Sequence, residues 1–127
     1  MMIALVGPIK HWWDNWDTPE RAPYFAHRET VAKALLDAGH LVYQPWEAIK
    51  GPWSEHAQAV NDTAILHSRL VINVGDPAIP SEGTDAELVL CRVAGKRVIN
   101  CPPGLDMEVL LTAVWHAELD ADFAATH

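Results

Sequence analysis

The sequence predicts a doubly wound α/β fold of the flavodoxin- or Rossmann-like kind, a parallel sheet of four to five strands with helices on both faces. Three observations predict it. Short apolar runs, Met2–Val6 and Leu70–Val74 foremost, end abruptly at Gly7 and Gly75, as strands buried on both faces do. Longer stretches between such runs carry apolar residues at helical spacing. The two patterns alternate with short connections, which implies right-handed crossovers and a parallel sheet.

Taken in order, Met2–Val6 is the first strand, closed by Gly7-Pro8. Residues 9 to 23 hold three Trp, two Pro and several charges without a period, and are expected to form an irregular loop. Val31, Ala34, Leu35 and Ala38 mark a helix from Ala26 to Ala38, with Gly39 where a C-terminal cap belongs. Leu41–Tyr43 is the second strand, stopped by Pro45. Ser54 can cap a helix reaching about Ser68, ahead of the third strand, Leu70–Val74. Another helix starts between Ser81 and Thr84 and ends at Gly95, and Arg97–Asn100 is the fourth strand. Asp106 caps a last helix marked by Met107, Leu110, Leu111 and Val114.

A chain of 127 residues that is half apolar can bury one core, and we expect a single domain over residues 1–127, without repeat or linker. Seventeen acidic against nine basic residues give a net charge of −8, and the basic ones form no cluster. That composition argues against a nucleic-acid polymer as partner. No apolar run approaches the roughly 18–20 residues of a membrane span. Without a leader-like start, and with Cys91 and Cys101 as the only cysteines, the expectation is a cytoplasmic protein with reduced thiols. Seven histidines lack metal-ligand spacing, so no metal or other cofactor is expected. Neither a Gly-x-Ser-x-Gly elbow nor a phosphate-loop lysine is present.

In parallel sheets of this kind ligands bind beyond the carboxyl ends of the strands, where strand order reverses. That rule gathers Gly7-Pro8-Ile9-Lys10, the loop after Gly75, and the start of the helix near Ser81. Glu87 is the most informative residue, because spacing puts it on one helical face with Leu90, Cys91 and Ala94. Two accounts of it stand side by side. In one, Thr84-x-x-Glu87 is a capping box. In the other, a carboxylate at the cleft mouth attacks an anomeric carbon and forms a covalent glycosyl intermediate.

The remaining candidates also have two readings each. Ser81-Glu82-Gly83-Thr84 offers small residues and backbone N–H groups for phosphate or sugar oxygens, or simply caps its helix. Asp62 is either partly buried near the sheet edge or a solvated surface residue. Gly7 lets a ligand approach the backbone, and Lys10 either pairs with an anion or is plain surface. Trp12, Trp13 and Trp16 stack on a base, or form a satellite core or subunit interface.

Gly7-Pro8-Ile9-Lys10, Asn61-Asp62 and Ser81-Glu82-Gly83-Thr84-Asp85-Ala86-Glu87 before Gly95-Lys96 together resemble the nucleoside 2-deoxyribosyltransferase superfamily. The similarity runs from Met2 to about Ile99. It implies cleavage or transfer at the N-glycosidic bond of a nucleoside or nucleoside 5′-monophosphate, with Glu87 as nucleophile on C1′ and Asp62 assisting the base. The transferases usually carry an aspartate six residues before the nucleophile. Ser81 there resembles instead the branch that hydrolyses nucleoside 5′-monophosphates, and Lys10 stands where that branch often has a basic residue. Gly7, Pro8, Ile9, Lys10, Trp12, Trp13, Ser81, Gly83 and Thr84 are the expected substrate contacts, the tryptophans on the stacking reading alone, and the resemblance implies a homodimer or higher oligomer. Two features depart from the pattern: Leu88-Val89 replaces the small Gly that commonly follows the glutamate, and the Trp-rich segment matches no family motif. The alternatives are a non-catalytic nucleotide-binding module of the same fold and an interaction protein that docks through its tryptophans.

Overall fold

The computed structural model describes residues 1–7, 21–48, 54–78 and 81–126, with side chains at 21–25, 48, 82 and 121–126 left aside. Strand β1 is Met2–Val6 and is followed by helix α1, Arg21–Asp37. Strand β2, Leu41–Tyr43, leads into the short helix α2, Pro45–Ala48, and then α3, Glu55–His67. After strand β3, Leu70–Asn73, come α4, Glu82–Val93, strand β4, Val98–Asn100, and α5, Met107–Thr126. The sheet order is β2-β1-β3-β4, all parallel. This is the doubly wound, flavodoxin-like arrangement, and the order reverses between β1 and β3.

Strand alternation divides the apolar residues between two unequal faces. Ile3 and Leu5 of β1 and Leu70 and Ile72 of β3 point to the larger side, where Val31 and Leu35 of α1 and Leu110 and Val114 of α5 cover them. The opposite side holds Ala4, Val6, Val71, Ile65 of α3 and Cys91 of α4. Both cysteines are buried and free.

Local chemistry sets the ends of the elements. Gly39 at φ 92° and Gly95 at φ 70° close α1 and α4 in the left-handed conformation that suits glycine. Asp106 caps α5 by accepting from the Glu108 N–H at 2.7 Å. Lys96 Nζ donates to the Ser68 carbonyl at 2.7 Å and ties the turn before β4 to the end of α3. Arg28, only 2% exposed, lays its guanidinium over the Trp46 ring at 3.9 Å from the centroid and joins α1 to α2.

Some details differ from expectation. The helix expected from Ala26 begins at Arg21, so the expected loop of residues 9 to 23 overlaps it. Pro23 falls in its first turn, where a missing N–H breaks no helical bond. Pro45 does stop β2, but it also opens α2, for which its fixed φ is suited. Val74 and Arg97 lie just outside β3 and β4, although Val74 N–H still donates to the Val6 carbonyl at 2.9 Å.

Because Leu35 is fully buried in the core of the larger face, Leu35→Ala should destabilise the protein by about 2–5 kcal/mol. Val93→Ala, at an 81% exposed position, should change stability by less than about 0.5 kcal/mol. Urea denaturation of the two variants measures both.

Candidate active site

The site grows from two helices packed side by side on the smaller face. Ser54 caps α3 by accepting from the Ala57 N–H at 3.1 Å. Four-residue spacing then buries Ala57, Asn61 and Ile65 in one line. Ser81 caps α4 in the same way, accepting from the Thr84 N–H at 3.2 Å. On that helix Thr84, Glu87 and Cys91 are the buried positions. Where the two lines meet, a carboxylate faces a carboxamide.

Glu87 is 3% exposed. Its Oε1 accepts hydrogen bonds from Asn61 Nδ2 and, at 3.4 Å, from Gln58 Nε2. The same Gln58 nitrogen donates to Asp62 Oδ1 at 2.8 Å. Glu87 Oε2 is buried with no partner among the described residues, as are Asn61 Oδ1, Thr84 Oγ1 and the Tyr43 hydroxyl. One oxygen of the carboxylate is therefore held by amides and the other is uncommitted among the described residues.

Burial pushes the Glu87 carboxyl up to about 7; the amides of Gln58 and Asn61 oppose the rise and the charge of Asp62 adds to it. Tyr43, at the end of β2, is pushed up to about 12 by burial and by the Glu87 charge, so it stays a hydroxyl donor at neutral pH. The Cys91 thiol, also raised by burial and by Glu87, stays protonated.

Beside the start of α4, at the carboxyl ends of β3 and β4, lies a cavity of about 470 Å³ walled by Asn73, Gly75, Asp76, Ser81, Thr84 and Asn100 among others. Asn73 shapes one wall, accepting from the Gly75 N–H at 3.0 Å and donating to Asn100 Oδ1 at 3.3 Å. Asp76 and Asp85 bring negative charge to the same cavity. Thr84 is the residue common to this cavity and the buried line that carries Glu87.

Among the expected site residues, the structure brings Glu87 and Asp62 together through Gln58, and places Ser81 and Thr84 at the cavity. Gly7 is buried at the end of β1. Gly83 is exposed, and a Cβ added there would meet nothing, so packing does not require glycine. Pro8, Ile9, Lys10, Trp12 and Trp13 lie outside the described residues. The capping box is not formed: Ser81 is the cap, and Glu87 stands a turn further on with its carboxylate turned to α3. Asp62 is half-buried, and its carboxylate holds Gln58. Ala94, expected on the buried face, is exposed because α4 has ended.

Sequence reasoning missed Gln58, the carboxamide role of Asn61, and Tyr43. Asn61 had a readable signal, since Ala57 and Ile65 flank it at four-residue spacing, the same logic that found Glu87. Among the described residues no three metal-ligating side chains converge, and no helix is long and apolar enough to cross a membrane.

No family model matches the sequence, and neither does any curated protein. Among solved structures, the 2-deoxyribosyltransferase of the psychrotolerant bacterium Bacillus psychrosaccharolyticus is similar, with a TM-score of 0.61 at 20% identity. The likeness covers 89% of this chain and 81% of that one. The strand order, the helices on both faces and this likeness agree: the protein has a nucleoside 2-deoxyribosyltransferase-like fold.

Proposed function

We propose that the protein cleaves or transfers at the N-glycosidic bond of a nucleoside or nucleoside 5′-monophosphate, with Glu87 as nucleophile. The observation that carries this reading is the asymmetry of the Glu87 carboxylate, one oxygen fixed by Asn61 and Gln58 and the other without a partner among the described residues. A carboxylate fixed on one side presents a single directed oxygen, as nucleophilic catalysis requires. Oε2 bonds to C1′ as the C1′–N bond breaks, and the bonding pair leaves with the base, which takes up a proton with help from Asp62 or a nearby acid. Water or a second base then attacks C1′ and releases the Glu87 carboxylate. The fold likeness to a 2-deoxyribosyltransferase supports this chemistry.

Ser81 leans the reading toward hydrolysis of a monophosphate, and the start of α4 is a favourable place for an anion. Asp76 and Asp85 act against a phosphate in the same cavity. Lys10 and the tryptophans retain their proposed roles of pairing with an anion and covering the base. We further propose a homodimer or higher oligomer in the cytoplasm, with a neighbouring copy completing the site.

Incubation with ribo- and deoxyribonucleosides and their 5′-monophosphates, with and without a second free base, should release free base detectable by chromatography. Glu87→Gln should lower that release on the order of 10³-fold or more. Nucleotide binding without release by the wild type would instead identify a non-catalytic binding module.

The pH dependence follows from the state the nucleophile needs. Since Glu87 must be ionised to attack and its carboxyl sits at about 7, kcat/KM should climb about tenfold per unit below that value and level off above it. Initial rates of base release from pH 5 to 9 check this.

Stability should move the opposite way. A carboxyl raised from 4.5 to about 7 binds its proton more tightly in the folded state, so stability falls as pH rises through that window and is flat above it. Glu87→Gln keeps the acceptor for Asn61 and removes the charge. At pH 8 it should melt higher than the wild type, by up to about 3 kcal/mol of stability. At pH 4 to 5 the two should be nearly alike, and thermal melts at both values read the difference.

A further inference from the structure

Gln58 helps to hold one oxygen of Glu87, and it also touches the second carboxylate. Its Nε2 donates to Asp62 Oδ1 at 2.8 Å, one helical turn along α3, and to Glu87 Oε1 at 3.4 Å across the helix pair. A primary amide nitrogen carries two hydrogens, enough for one bond to each acceptor. Without such a donor, two carboxylates at this separation repel, and the more buried one holds a proton instead of ionising. We propose that Gln58 is a positioning residue that stands between Asp62 and Glu87, fixing both carboxylates through one amide nitrogen and screening the ionisation of Glu87 from the charge of Asp62. This deepens the reading of Glu87 as nucleophile and rests on it.

The surroundings leave the screening to α3. Among the described residues, the groups facing Glu87 are Asp62, Asn61 and Gln58 from α3, Tyr43 from β2 and Cys91 from α4 itself. Tyr43 and Cys91 are both held in their neutral forms at neutral pH, so Asp62 is the charged neighbour. Asn61 bonds to Glu87 alone among the described residues and cannot report on Asp62. Among the described residues Gln58 alone bridges the two. Its place on α3 has a further consequence: Ser54, the cap one turn earlier, holds the helix start that positions the Gln58 side chain.

The test is a carbon-13 NMR titration of Glu87 in four forms of the full chain: wild type, Gln58→Met, Asp62→Asn and the double variant. Gln58→Met should raise the Glu87 midpoint by at least about half a pH unit, roughly a threefold gain in proton affinity. Asp62→Asn should lower it, and by more in the Gln58→Met background, where no amide stands between the charges. A midpoint that is unchanged or lower in Gln58→Met, or an Asp62→Asn effect equal in both backgrounds, overturns the screening. Should Gln58→Met fail to fold, the Gln58 side-chain amide signals of the wild type decide. They should titrate with the Glu87 midpoint, and their indifference to it overturns the proposal equally. The titration does not depend on turnover. Screening without base release therefore sinks the glycosidic reading alone, whereas base release that needs Glu87 without screening sinks only the role of Gln58.

Discussion

The structure is organised around a carboxyl group placed where water does not reach. Moving a carboxylate out of water costs several kcal/mol unless hydrogen bonds replace its hydration. Glu87 receives two amide donors on one oxygen and, among the described residues, none on the other. That incomplete compensation is visible in a carboxyl that is half ionised near neutrality. Keeping it requires α3 and α4 to sit in a fixed relation, since Asn61 and Gln58 come from one helix and the carboxylate from the other. The cap serines, the Lys96 clamp on Ser68 and the buried lines on both helices all serve that relation.

The uneven division of the core follows from the same need. On the larger face, leucine and isoleucine side chains from the sheet meet α1 and α5 and supply most of the hydrophobic stabilisation. On the other face β1 contributes only Ala4 and Val6, small residues that leave room for polar side chains above the sheet. The costly buried carboxylate is thereby placed away from the packing that offsets it.

The sequence made the fold legible because apolar runs and helical periods speak locally: β1 and β2 stand where the runs placed them, and Ser54, Ser81, Asp106 and Gly39 mark real helix ends. Glu87 was legible as a charge in an apolar line. Its partners were harder to see. Asn61 sits in an apolar line of its own, but a neutral amide in a helix attracts less notice than a charge. Tyr43 closes a strand of three residues, too short to show alternation. Arg28 lies in line with Val31, Ala32 and Leu35, yet its partner Trp46 is supplied by another helix, which spacing along α1 does not reveal. Gln58 reads as an ordinary exposed-face residue until α4 is placed beside it.

The two ends of the sheet are connected in different ways. At the amino edge, helices return to strands through residues 38–40, 68–69 and 94–97, with Gly39 and Gly95 in the left-handed conformation. At the carboxyl edge the chain spans residues 7–20, 74–81 and 101–106 between elements. The short turns admit little change of length or residue, whereas Gly75, Asp76, Pro77 and Pro102 of the longer connections border the cavity. Such a scaffold can exchange the segments at its carboxyl edge without renegotiating its topology, so related chains can diverge there while sharing little more than the order of their strands.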